Sequence, residues 1–375
     1  PLMPLVPYLP QVFKLDFLPP FYFTFWIIII AVVAISHEFA HGIFASYDKV
    51  RIKSTGFGFF PFFLPIFLAA FVELDEKEMA KKPKLSQLTI LSAGTFANLL
   101  TAILFFGVIA VFFSLAFSAS GVMFDTYPYS LVSVSAISMI NGVSADNLTY
   151  EKVLSLTNDS GFNKIKAGGI DYVITKNSLE MQKSGGESLI LYYDAPAINS
   201  NLESVIISVN GENTSSVFDL KEELSRYSPG EIIVLEVLSK DGKSYNRDVT
   251  LEENPFDKNA SWLGVGFSNK ENPTMLGSKI YSWFSFKEPN IYYKSNFEAG
   301  LFIYNLLWWL VLISVSVALV NMLPVGIFDG GRFFYLTVLA ITKNDRISRI
   351  SFAFATYFIL AIFFALMIFW LVSFF

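Results

Sequence analysis

Two histidines and a glutamate share the run His37-Glu38-Phe39-Ala40-His41, and the 375-residue chain has no other histidine. In a helix, residues four apart lie one turn apart on the same face. Both imidazoles can then reach one metal ion, with Glu38 beside it where a base for an attacking water is needed. The surrounding segment, Phe21 to Ala45, is apolar and long enough to cross a bilayer. Ionisable groups in such a helix are costly and mark a functional site. A merely packed histidine pair explains less, because Glu38 between them would also need a partner.

Catalytic zinc usually takes three protein ligands and keeps one position open. The chain has no cysteine and no third histidine, so the third ligand must be a carboxylate or another oxygen. Asp329 is the best candidate, in the run Asn321-Met322-Leu323-Pro324-Val325-Gly326-Ile327-Phe328-Asp329-Gly330-Gly331-Arg332. Pro324 ends an apolar segment, and Gly330-Gly331 is expected to let the backbone turn sharply and present the carboxylate. The carboxylates of the Glu73–Glu78 cluster are the alternative ligands. One Zn2+ per chain is expected.

Four apolar segments must position these groups, at about Phe21–Ala45, Leu88–Phe117, Leu301–Leu323 and Ser351–Phe375. The chain is 53% hydrophobic and only 16% charged, too apolar for one soluble domain. Its net charge of −5 gives no basic footprint for nucleic acid. Without cysteine, disulfides, thiolate metal sites and cysteine nucleophiles are excluded, and the redox compartment cannot be read. The first residue is proline, so further residues are expected before it.

A fifth apolar block, Gly56–Val72, is interrupted by Pro61 and Pro65. Lys49, Arg51 and Lys53 precede it, and Lys77, Lys81, Lys82 and Lys84 follow. If the block dips in and returns, all seven lie on the inner side with Arg332, Lys343, Arg346 and Arg349. The same topology brings Asp329 to the depth of the histidines; a crossing block would put it on the opposite face. The polar stretch Ser118–Asn296 then lies outside. Its sequons at Asn147, Asn158, Asn213 and Asn259 fit that side but arise easily by chance in an Asn- and Ser-rich sequence.

The His37–His41 run and the Asn321–Gly331 run together resemble the site-2 protease family of intramembrane metalloproteases (peptidase family M50). Ser92-Ala93-Gly94-Thr95-Phe96-Ala97-Asn98 resembles that family's small-residue motif ending in Asn, and Phe71–Glu76 resembles the segment before the second span. Two departures stand out: Met322 follows Asn321 where proline is usual, and Thr95 stands where proline is common. The resemblance implies that His37, His41 and Asp329 ligate zinc, that Glu38 is the base, and that Asn98 and Asn321 bind the substrate backbone. It also implies that a small sheet after the first span, beginning near Lys49–Ser54, pairs with an unwound substrate. The implied partners are the lipid bilayer and membrane-protein substrates with a helix that can unwind.

Residues Ala195–Phe267 resemble a PDZ domain of the protease-associated type. The matching order is Ala195–Ile198, Val205–Gly211, a helix at Phe218–Tyr227, Ser228–Glu231, a turn at Asp241-Gly242 and a last strand at Tyr245–Leu251. A fainter echo lies at Ser135–Gly142, which resembles Ser204–Gly211 and suggests a partial second unit. The expected fold is a multi-pass α-helical membrane protein with a re-entrant loop or small β-sheet and an extracytoplasmic α+β PDZ-like domain. The expected divisions are 21–117 (membrane core with the HExxH helix), 118–191 (extracytoplasmic), 192–270 (PDZ-like) and 297–375 (membrane core with the Asp-Gly run). The expected activity is zinc-dependent intramembrane cleavage of membrane-anchored proteins, with the site toward the cytoplasmic side. The competing expectation is an inactive membrane scaffold that binds proteins through its PDZ-like domain.

Overall fold

The computed structural model describes residues 8–12, 18–60, 67–144, 148–182, 187–202, 204–239, 242–267 and 286–372. They fall into two compact units, residues 1–116 with 295–375, and residues 117–294. The first unit opens with α1 (Leu9–Val12), α2 (Phe23–Tyr47), β1 (Ile52–Phe60), β2 (Phe67–Leu74), α3 (Glu76–Lys81) and α4 (Lys84–Ala116). In the second unit come β3 (Phe117–Met123), β4 (Tyr129–Ser133), β5 (Ile137–Ile140), β6 (Val143–Ser144), α5 (Tyr150–Ser155), β7 (Phe162–Ala167), β8 (Ile170–Thr175) and α6 (Lys176–Met181). It continues with β9 (Ser188–Tyr193), α7 (Pro196–Asn199), β10 (Val205–Val209), β11 (Glu212–Asn213), α8 (Val217–Leu224), β12 (Ile232–Leu238), β13 (Ser244–Thr250), β14 (Glu252–Asn254), β15 (Asp257–Trp262) and β16 (Ile291–Ser295). The first unit resumes with α9 (Gly300–Asn321), α10 (Asp329–Thr342) and α11 (Asp345–Val372).

Among the described residues, α2, α4, α9 and α11 are the four helices long and apolar enough to cross a membrane. Runs this apolar become helices because hydrocarbon offers the backbone no hydrogen-bond partner outside the segment. Their packing follows a step of four residues. Phe25, Ile29, Val33, His37 and His41 form one buried stripe on α2. Ile90, Gly94, Asn98 and Ala102 form the corresponding buried stripe on α4. The N-terminal part of the α2 stripe packs on Trp309, Leu310 and Ile313 of α9. The Trp309 indole stacks 4.4 Å from Phe21 and donates to the Pro19 and Pro20 carbonyls at 3.2 and 3.1 Å. The histidines therefore extend a packed apolar stripe and inherit its rigidity.

The fifth apolar block is an antiparallel hairpin, paired from Ile52↔Leu74 to Phe60↔Phe67. Its start and end lie side by side, so the chain returns to the level at which it left. Pro61 and Pro65 lie outside the described residues, as do Asn147 and Asp241. Two differences from expectation concern the third span onward. A separate helix, α10, follows it, and Gly330 and Gly331 lie inside that helix rather than in a turn.

The second unit contains two sheets, ordered β13-β12-β10-β3-β16 and β4-β9-β8-β7-β5-β6. The echo noticed between Ser135–Gly142 and Ser204–Gly211 is a structural repeat. Strand, short strand, helix, strand, strand recur as β5-β6-α5-β7-β8 and β10-β11-α8-β12-β13. Each repeat turns on an Asn-Gly pair at positive φ, Asn141-Gly142 and Asn210-Gly211. In each, the asparagine brackets one residue of a neighbouring strand. Asn141 N–H donates to the Lys164 carbonyl at 2.8 Å and its Oδ1 accepts from Lys164 N at 3.0 Å. Asn210 does the same with Val234, both at 2.7 Å.

The expected division at residue 191 falls within a strand. β9 straddles it and joins β4 to β8 in one sheet, while β3 pairs with β10 in the other and adds Val122 and Phe124 to the core under β10 and β12. Strand order in space overrides order in sequence because each repeat leaves a strand edge that a flanking segment must cover. Asn158, Asn213 and Asn259 are exposed.

Asn141 also donates to Leu156 O and Asn163 Oδ1, and Asn163 is fully buried. Asn210→Ala should therefore cost the unit about 1–2 kcal/mol and Asn141→Ala roughly 2–4 kcal/mol. Urea titration of the detergent-solubilised protein, read by protease cleavage within 117–294, measures both; equal costs would contradict the assigned network.

Candidate metal centre

The buried stripe of α2 delivers two imidazoles one turn apart, with ring centroids 4.7 Å from each other. His37 Nε2 and His41 Nε2 are 3.1 Å apart. Asp329 Oδ2 lies 3.2 Å from each. Three donors at 2.0–2.1 Å from a tetrahedral cation would be about 3.3 Å from one another. The observed triangle is close to one face of that tetrahedron. Among the described residues it is the group of His, Asp and Glu side chains that could hold an ion.

Proton placement supports the same conclusion. His41 Nδ1 lies 2.7 Å from the Ile90 carbonyl, which can only accept. The proton of neutral His41 is therefore on Nδ1, and its Nε2 lone pair faces Asp329 Oδ2 and His37 Nε2. Lone pairs converging in an apolar surround repel one another unless a cation lies between them. The Asn98 amide is 3.0 Å from His37 Nδ1 and fully buried. Its Nδ2 faces that ring nitrogen and fixes the orientation of the His37 imidazole. The amide oxygen lies 3.5 Å from Ser36 Oγ, which also donates to Val33 O at 3.0 Å.

One face of α4 thus serves both histidines: Ile90 fixes one ring, Asn98 the other, and Gly94 lies between. A Cβ on Gly94 would be 2.4 Å from His41 Nε2 and 2.6 Å from His37 Nε2. No side chain fits there without displacing a ligand. Asp329 is brought in by an equally close backbone approach. A Cβ on Gly330 would be 2.2 Å from the Met322 carbonyl carbon, and one on Gly331 would be 2.4 Å from Val325 O. The two glycines let the start of α10 pack onto its own connecting loop, so close packing replaces the sharp turn as their reason. Asp329 opens α10, where the helix N-terminus favours a carboxylate.

Glu38 projects beside the donors, and its Oε2 accepts the Val72 backbone N–H of β2 at 2.9 Å. Asn321, the last residue of α9, brings its amide nitrogen 3.4 Å from His37 Nε2. His37, Glu38 and Asn321 line one cavity. Asn98 does not line it. The alternative carboxylates are engaged elsewhere: Glu73 accepts from Ser54 Oγ, Asp75 caps α3, Glu76 pairs with Arg332, and Glu78 accepts from Arg51 N. Sequence reasoning missed the roles of Gly94, Ile90 and Val72. Only Gly94 left a trace, as the small residue of the Ser92–Asn98 run; the other two act through backbone atoms and leave none.

The family model described as Peptidase family M50 matches residues 25–367. A stretch of 96 residues is 35% identical to a probable periplasmic serine endoprotease DegP-like of Bartonella henselae. That stretch is 25% of this chain and covers 19% of the relative's length.

Gly94→Ala should lower metal affinity at least tenfold, on the order of a lost ligand-orienting contact. Gly107→Ala, where a Cβ would meet nothing within 4 Å, is the control and should bind as the wild type. Metal retained per chain against a rising chelator concentration distinguishes the two.

Proposed function

The chain belongs to peptidase family M50, and we propose that it is a zinc-dependent endopeptidase of the site-2 protease type, cleaving transmembrane segments of membrane-anchored proteins. The observation that carries this is the convergence of His37, His41 and Asp329 within 3.2 Å, beside a glutamate, in an apolar helical core. The donor set, two imidazoles and one carboxylate, suits zinc and leaves one tetrahedral position open.

When bound, zinc would acidify a water and polarise the scissile carbonyl. The remaining work falls to the chain. Glu38 takes the proton of the attacking water and returns it to the leaving nitrogen. Asn321 presents an amide N–H to the same cavity, where it can stabilise the charge that develops on the carbonyl oxygen. Asn98, buried against His37, orients a ligand and does not contact substrate. A helical substrate hides its carbonyls in hydrogen bonds, so it must unwind first. A groove of about 770 Å³ lies between α2 and the β1–β2 hairpin, lined by Phe39, Ile43, Phe57 and Phe71, with Glu38 in its wall. It suits an extended apolar segment laid along the hairpin.

The same proposal makes the protein multi-pass, with the site toward the cytoplasmic side and residues 117–294 outside. The clustering of Lys and Arg around the hairpin and after α9 supports that orientation. The repeat at 205–250 fits a PDZ-like module that screens or binds the outer part of substrates. An inactive scaffold would have no use for Glu38 beside a complete donor set.

Glu38→Gln should keep one zinc per chain and slow cleavage of a single-span reporter, with Gly-Pro near its inner end, by roughly 10²–10⁴-fold. Asp329→Ala should lose the metal and the activity together. Cleavage at wild-type rate by zinc-loaded Glu38→Gln protein would refute the assigned base.

A further inference from the structure

A second cavity, of about 280 Å³, opens on the other side of Glu38 from the long groove. Its two main walls are regular. Ile30, Val33, Ala34 and His37 descend one face of α2 at steps of three and four residues, and Ile313, Val317 and Asn321 descend one face of α9 at steps of four. Ala70 of β2 closes a third side. Both helical walls are apolar along their length and become polar only in the last turn, at His37, Glu38 and Asn321. Glu38 and Ala70 also line the long groove, so the two cavities meet at the catalytic end.

A helix with side chains is about 10–12 Å across and cannot enter this space. The volume falls below the range that holds a whole small ligand. A single side chain fits. A charged one would lose its hydration against Ile30, Val33, Ile313 and Val317 with no partner of its own. Ala34 and Ala70 are the small residues of the lining, and the other apolar members of Ala34's helix face, Ile30 and Val33, are branched.

Building on the hydrolase reading above, we propose that this cavity is a specificity pocket for one residue flanking the scissile bond, that it selects a large apolar side chain such as Leu or Phe, and that Ala34 sets its depth. A substrate chain then lies extended in the long groove, passes Glu38, and places its first side chain beyond the scissile bond between α2 and α9. Ala34→Phe fills the pocket from the α2 wall; Val317→Phe fills it from the α9 wall.

The test uses direct binding to the zinc-loaded full-length protein in detergent, by calorimetry. The probes are acetohydroxamate, which offers only a metal-binding group, and the acetyl-Ala, acetyl-Leu, acetyl-Phe and acetyl-Asp hydroxamates. The wild type should bind the Leu and Phe compounds at least tenfold more tightly than the Ala compound, with no gain for Asp over acetohydroxamate. Ala34→Phe should bring Leu and Phe down to the Ala level and leave acetohydroxamate unchanged, with zinc content intact. If Ala34→Phe does not fold, Val317→Phe makes the same comparison, and the wild-type ranking stands as a test by itself. Equal binding of the Ala, Leu and Phe compounds to wild type, or equal weakening of all five by the variants, would overturn the pocket while leaving the metal reading in place. A zinc-loaded protein that binds none of the five, acetohydroxamate included, would overturn both.

Discussion

Three electron-pair donors held 3.1–3.2 Å apart in an apolar interior are the constraint around which the membrane-type unit is built. Left to themselves they would separate. They are held by the rigid register of α2, by the Ile90 carbonyl that commits the His41 proton to Nδ1, by the Asn98 amide against the His37 ring, and by backbone approaches that only glycine permits. Ile90 and Asn98 act on the rings, Gly94 removes the side chain that would force α4 away, and Gly330 and Gly331 do the same for α10. Burial of Phe25, Ile29 and Val33 on the same stripe fixes the azimuth of the histidines before any metal contributes. Pre-organisation of this kind makes ligand geometry a property of the helix packing.

Glu38 stands at a junction. Its carboxylate is tied to the backbone of β2, between a long apolar groove and a short apolar pocket. The hairpin therefore holds Glu38 through a main-chain atom, without contributing a side chain to the donor cluster. An intramembrane site also needs polar groups to be few and mutually satisfied, because the surround offers them nothing. Ser36, Asn98 and His37 meet that demand as a chain, each group answering the next.

The convergence of His37, His41 and Asp329 and the four long apolar helices were legible in the sequence because each leaves a strong mark. Two lone histidines four apart, a carboxylate before paired glycines, and apolar runs of spanning length are features of side-chain type and spacing. The return of the Gly56–Val72 block was legible from lysine and arginine placement. What stayed hidden was carried by the backbone or by close packing. The Ile90 carbonyl and the Val72 amide have no sequence signature. Gly330-Gly331 suggested a turn, since glycine's freedom and glycine's smallness look alike in a sequence. α4 runs unbroken through Thr95, and α9 stops at Asn321 before Pro324, so neither departure from the family pattern disturbs the donors. In the second unit the Asn-Gly turns revealed the repeat, yet β3 and β9 cut across a linear division because strand partners far apart in sequence are set by exposed edges.

The second unit begins with β3 and ends with β16, and those two strands are neighbours in one sheet. Its first and last residues therefore leave through adjacent positions, like the two leads of a plug. A segment of that shape can be gained, lost or exchanged between hosts without stretching either junction. Its complexity, two interleaved repeats in this chain, can change while the host helices keep their register.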